Sequence, residues 1–163
     1  MSEVEKIPSG FHTITPTIFV KGAAQAIAFY QQALGAEEIC RHATPDGKVM
    51  HGELKIGDSR LFICDEFPEW GALSPETLGG NSGAFYLYVE NSDAAFDRAV
   101  SAGAKVIMPV ADTFWGDRVG AVSDPYGHKW NFSTHVRDVT EEEMAAASEK
   151  FCSGESEKAE AAV

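Results

Sequence analysis

Two segments 68 residues apart end alike: "ALGAEEI" (33–39) and "SAGAKVI" (101–107). In each, an apolar-periodic stretch stops at a Gly-Ala pair that runs straight into β-branched sequence. This is the pattern of a helix capped by glycine and followed directly by a strand. What surrounds each copy repeats too, so the chain reads as one supersecondary unit used twice. A single unit would leave the apolar face of its sheet in water. Two units related by a pseudo-twofold can bury their helices and enclose a cleft within curved sheets.

The first copy opens with "HTITPTIFV" (12–20), a strand in which Pro16 marks an edge or an irregular start. "GAAQAIAFYQQALG" (22–35) has Ile27, Tyr30, Gln31 and Leu34 on one helical face. Strands follow at 37–43, 49–56 and 60–67, the first two separated by the turn "TPDGK". Residues 68–82 have no period and read as a long connection. The second copy gives a strand at 83–91, a helix at 92–104 with Phe96, Ala99 and Val100 as its stripe, and a strand at 105–114 interrupted by Pro109. Two further strands, "RVGAVSD" and "KWNFSTHV", flank "DPYG". The expected division is an N-terminal segment 1–11, a domain 12–137 with modules 12–67 and 83–136 and linker 68–82, a C-terminal helix 138–152, and a disordered acidic tail 153–163. Thr140 and Glu143 make a capping box for that helix, and Met144, Ala147 and Phe151 its apolar stripe.

A chain of 163 residues suits one such domain. Its net charge of −12 argues against a nucleic-acid backbone as partner. Half of that charge lies in residues 138–163, where eight acids face Lys150 and Lys158, so the acidity says little about a ligand. Three widely spaced cysteines, no secretory pattern in "MSEVEKIPSG" and no membrane-length apolar run fit a reduced, cytoplasmic protein away from membranes.

The motif with most chemistry by composition is "SDPYGHKWNFSTH" (123–135). Its "DPYG" is a tight turn, with Asp, Pro and Gly in turn order. "HKWNFSTH" is then a closing strand with Trp130 and Phe132 on one face and Lys129, Asn131 and Ser133 on the other. His128 beside the turn is expected to be exposed. His128 and His135 point to opposite faces and cannot share an ion. "HGE" is more promising: His51 and Glu53 share a strand face. If Ile56 pairs with Ser59, Glu53 faces Phe62 and His51 faces Cys64. A polar wall results, suited to acid–base work or to part of a displaced metal site. Phe114 and Trp115, in "FWGDR", are candidates for stacking on a flat or cationic ligand at a pocket rim. Phe85, Tyr86 and Tyr88 alternate along one strand, and periodicity leaves open which of them faces the cleft.

A doubled βαβββ unit of this length, carried by "TIFVKGAAQAIAFYQQALGA", "GAFYLYVENSDAAFDRAVSAGA" and "GDRVGAVSDPYGHKWNF", resembles the vicinal-oxygen-chelate superfamily of glyoxalases, bleomycin-resistance proteins and extradiol dioxygenases. The segments "HGELKIGDSRLFICDEFP" and "FWGDRVGAVSDPYGHKWNFSTHVRDVTEEEM" look like its PhnB-like branch. The resemblance implies an α+β fold of two βαβββ modules around a cleft, and a homodimer. It also implies metal ligands on the first and last strands of each half. Those positions fall on or near Thr15, Ala84, Asn131 and Cys64, and the first three are poor or impossible ligands for a divalent ion. The expectation is a protein that binds a small molecule in an aromatic-lined cleft, with Cys64, Phe114, Trp115 and Asn131 as contacts and no cofactor at the usual position. A divalent-metal lyase, isomerase or dioxygenase built on His51 and Glu53 is the alternative, and a drug-sequestering protein a third.

Overall fold

The computed structural model describes residues 4–152. The acidic tail expected at 153–163 lies outside the described residues. The first half runs β1 (Thr17–Val20), α1 (Ala23–Leu34), β2 (Glu37–Ala43), β3 (Val49–Ile56), β4 (Ser59–Asp65). After a short α2 (Pro75–Leu78), the second half runs β5 (Phe85–Tyr88), α3 (Ser92–Ser101), β6 (Lys105–Asp112), β7 (Asp117–Ser123), β8 (Lys129–His135). A last helix, α4, spans Glu141–Cys152. Each half forms a four-stranded mixed sheet, in the orders β1-β4-β3-β2 and β5-β8-β7-β6. In each, the first strand pairs with the last in parallel. The repeat thus folds as two βαβββ modules, an α+β architecture with two open sheets. No helix among the described residues is long and apolar enough to cross a membrane.

Two glycines show how closely the modules match. Gly52 in β3 and Gly120 in β7 are 68 positions apart, and each lies under its module's helix. A Cβ on Gly52 would stand 2.9 Å from Ile63 Cγ2 and 3.4 Å from Ile27 Cδ1; one on Gly120 would stand 2.8 Å from Phe96 Cδ2. The missing side chain lets the helix sit close on the sheet. Gly35 takes a left-handed φ of 67° at the end of α1, as its position in the repeat predicts.

The sequence overestimates several ends and misjudges some exposures. β1 begins at Thr17 rather than His12, because Pro16 has no N–H to give; its carbonyl instead accepts from Phe62 N. The connection 68–82 contains a 3-10 turn at Pro68–Trp70 and α2, which Ser74 caps by accepting from Thr77 N. Gln31 is exposed, and Ala26 and Ala33 complete the buried face of α1 instead. The capping box of α4 forms, with Thr140 N donating to Glu143 and Glu143 N to Thr140. Phe151 reaches Phe114 at 5.6 Å between centroids but stays 62% exposed, so the far end of α4 is only lightly docked.

Three buried aspartates hold the modules in shape. Asp65 accepts from Gly22 N, Ala23 N and Val49 N, fixing the start of α1 against the start of β3. Asp124, the first residue of "DPYG", accepts from Tyr126 N and His128 N within its own turn. Its other oxygen accepts from Trp130 Nε1 at 2.8 Å and from the Tyr30 hydroxyl, in the other module, at 2.7 Å. Burial, then the Asp124 charge, pushes the Tyr30 phenol well above its ordinary pKa. His128 is 6% exposed, contrary to expectation, because it joins the modules as well. One ring nitrogen lies 3.2 Å from Phe19 O and the other 3.2 Å from Asn81 Nδ2. A carbonyl can only accept, so the ring donates to Phe19 O.

Asp117 accepts from Tyr88, Ser133 and His135, whose second nitrogen meets Asp138. Burial pushes the Asp117 carboxyl up, but the hydrogen bonds from His135, Tyr88 and Ser133 outweigh it and hold it below its ordinary pKa. Asp117 first, then Asp138, raise His135 above its ordinary 6.5.

Two outcomes are expected in denaturant melts. Tyr30→Phe removes one donor to a buried charge and costs about 1.5–3 kcal/mol, while Asp124→Ala strands four donors and costs at least about 3 kcal/mol. Changes of under about 0.5 kcal/mol in both would remove Asp124 as the tie between modules. A raised histidine pKa stabilises fully below the unfolded value and ceases to do so as pH climbs through the folded one. Wild type should therefore lose stability as pH rises above 6.5. His135→Gln should lack that decline.

Candidate functional site

A cleft of about 780 Å³ opens where the approach to β1 meets the edge strand β5. Phe85, Leu87, Trp130 and Phe132 form its floor from the core side, and Tyr86 and Tyr88 its rim. The alternation on β5 is thereby resolved: Phe85 stacks on Trp130 at 4.6 Å, while Tyr86 and Tyr88 are exposed. Three basic side chains reach the wall: His12, Arg60 and Arg98, against the single acid Asp58. Arg98 comes from α3 and crosses to α1, donating from Nε to Ala33 O. Among the lining residues two arginines thus face one acid, although Arg60 is also paired with Glu53 beyond the wall.

Two polar clusters adjoin the cleft, each through one of its lining residues. Tyr88 leads to Asp117, Ser133 and His135 on the second sheet. Arg60 leads to Glu53 on the first, with Nη1 2.9 Å from Oε1. The registers expected around "HGE" hold: Ile56 pairs with Ser59 and Glu53 with Phe62. His51 and Glu53 do share a face, and the third member of their group is Cys40 from β2. Donor atoms of Cys40, His51 and Glu53 all lie within 4.8 Å of one another. The His51 ring sits edge-on to Phe62 at 4.8 Å and nearly parallel to His42 at 6.2 Å.

The other candidates lie outside the cleft. Cys64 is buried in β4, paired with Phe19, and burial followed by the Asp65 charge raises its thiol pKa, which disfavours a nucleophilic thiolate. Phe114 and Trp115 pack edge-to-face at 5.0 Å in the β6–β7 connection, with Phe114 beside Phe151 of α4. Asn131 sits beside Tyr86 and donates its amide to Phe85 O at 3.2 Å. None of these four lines the cleft, nor do His51 and Glu53.

Sequence reasoning missed four groups. Cys40 escaped because a bulge between Glu38 and Cys40 shifts its pairing, so period-two counting does not bring it opposite Glu53. The Asp117–His135 pair was within reach: counting outward from the "DPYG" turn pairs Ser123 with Lys129 and Asp117 with His135. Arg60 and Arg98 had no local signal, since only the approach of the two modules makes them neighbours of one space.

The positions where the resemblance implies metal ligands do not fit an ion. Ala84 offers no donor, the Asn131 amide is engaged with Phe85 O, Thr15 has a neutral hydroxyl, and Cys64 is a buried thiol.

Comparison with known proteins agrees with this fold. The family model described as "Glyoxalase/Bleomycin resistance protein/Dioxygenase superfamily" matches residues 10–132. An uncharacterized protein of Mycobacterium tuberculosis is 39% identical over 137 residues, covering 82% of this chain and 81% of its own. The crystal structure of an Arabidopsis thaliana gene product superposes with a TM-score of 0.61 at 28% identity, over 76% of this chain and 98% of its own. A PhnB protein of Bacillus cereus shares the fold at 17% identity, with a TM-score of 0.57 over 76% of this chain and 99% of its own. With two βαβββ modules and a family match over most of its length, the chain belongs to the glyoxalase/bleomycin resistance protein/dioxygenase superfamily.

Proposed function

We propose that the chain binds a small organic molecule in the cleft beside β5, one with an apolar or aromatic body and an anionic group, without an ion at the superfamily's usual position. The observation that carries this reading is the lining: aromatic floor and rim, with Arg60, Arg98 and His12 on the wall. A volume of about 780 Å³ is in the range of sites that enclose drug-sized ligands. An arginine fork in a partly desolvated wall recognises carboxylate or phosphonate by paired hydrogen bonds. The same basic groups count against sequestration of a cationic drug, for which only the overall acidity speaks.

A metal-assisted lyase, isomerase or dioxygenase reaction on His51 and Glu53 is the second reading, and the approach of Cys40 to both favours it. A homodimer is part of the proposal. Ile39, Met50, Val106, Ile107 and Met108, on β2, β3 and β6, are 39–50% exposed, which is apolar surface for a second copy to cover. Cytoplasmic residence is supported by the free thiols of Cys40 and Cys64.

Thermal-shift and tryptophan-fluorescence titrations with a panel of aromatic carboxylates and phosphonates, matched by amines of similar shape, test the binding. Anions should raise the melting temperature. Arg60→Gln and Tyr86→Ala should each weaken the best of them about tenfold, the equivalent of about 1.4 kcal/mol. Amines that bind better than anions, an entire panel that fails to bind, or variants that bind like wild type would overturn the reading.

A further inference from the structure

The two modules are alike in backbone at one place and opposite in chemistry. Cys40 pairs with Glu53 across β2 and β3, and Met108 pairs with Ala121 across β6 and β7. These partners are 68 positions apart, as are His51 and Val119. A bulge precedes each pairing, leaving Ile39 or Ile107 as the extra residue. The second module therefore builds the same bulged sheet with Met, Val and Ala. The fold does not require a thiol, an imidazole and a carboxylate at these three places, so their convergence in the first module calls for another explanation.

We propose that Cys40 Sγ, a ring nitrogen of His51 and a carboxylate oxygen of Glu53 form a binding site for one borderline divalent ion, of the Zn²⁺ class. The donor atoms lie within 4.8 Å of one another. Tetrahedral Zn²⁺ places a sulfur and a nitrogen or oxygen ligand about 3.5 Å apart, so rotation of the Cys40 and Glu53 side chains by roughly an ångström closes the site. Phe62 and His42 brace the His51 ring. Arg60 Nη1 stands 2.9 Å from Glu53 Oε1, the kind of outer contact that orients a ligating carboxylate. Thiolate and imidazole select Zn²⁺ or Co²⁺ over Mg²⁺ and Ca²⁺. All three donors are half-buried, so water can complete the coordination. The site is separate from the superfamily positions at Thr15, Ala84 and Asn131. It does not rest on the cleft reading, since none of the three residues lines the cleft.

Cobalt titration of the full chain, reduced and freed of metal, tests it. One equivalent of Co²⁺ should bind, with a thiolate-to-cobalt charge-transfer band and the visible bands of a tetrahedral ion, and Zn²⁺ should displace it. Cys40→Ser should abolish the charge-transfer band. His51→Ala and Glu53→Gln should weaken Zn²⁺, measured by competition with a fluorescent chelator, by more than the roughly ten- to hundredfold that an outer-shell change costs. Glu53→Gln keeps the side-chain shape and reads the site even if Cys40→Ser fails to fold. Cys64→Ser and Tyr86→Ala should bind the ion like wild type, which separates this site from the cleft. No band in wild type, a band that survives Cys40→Ser, or one that disappears with Cys64→Ser would overturn the proposal.

Discussion

The cleft depends on a buried carboxylate at the first position of a turn. Asp124 is 4% exposed and accepts four hydrogen bonds, two from its own turn and two from aromatic side chains. One of those side chains, Tyr30, belongs to the other module. A buried charge without partners is costly, so the carboxylate holds the turn, Trp130 and α1 in one arrangement or not at all. His128, four residues on, ties the same turn to the carbonyl of Phe19 in β1. The motif richest in apparent chemistry is thus the joint between the modules. That joint sets how the approach to β1 sits against β5, and the cleft is the space left between them.

Duplication gives the fold, and divergence between the copies gives the chemistry. Both modules start their helix from the last strand: Asp65 accepts from Gly22 N and Ala23 N, and Thr134 accepts from Ser92 N. Both need a glycine under the helix. Away from these constraints the halves differ. The first carries Cys40, His51 and Glu53 on its sheet; the second carries Tyr88, Asp117 and His135. Arg60 and Tyr88 link these groups to the cleft between them. A ligand held there would touch side chains connected to both clusters.

Much of this was legible in the sequence where one face of an element alone decides the pattern. Strands β2 and β3 fall at the residues that alternation marks, and the facing of His51 and Glu53 follows from one pairing at the Ile56–Ser59 turn. What escaped depended on contacts between distant segments or on irregularity. A histidine beside a turn reads as exposed until Asn81 and Phe19 close over it. A cysteine one bulge out of register reads as facing elsewhere until the bulge is seen. The cleft has no sequence signature, since its walls come from the edges of two modules and the tip of one arginine on α3. Phe114 and Trp115, adjacent and aromatic, gave a stronger local signal, yet they pack on each other beside α4.

The most direct test of the central claim, that the space between the modules is the binding site, is a crystal structure of the protein grown with the best-binding anion of the panel. Density for the ligand body is expected against Tyr86 and Trp130, with its anionic group within hydrogen-bond reach of Arg60 or Arg98. Ligand density on the outer faces of the helices, or a cleft filled by the chain's own side chains while the ligand sits elsewhere, would contradict it.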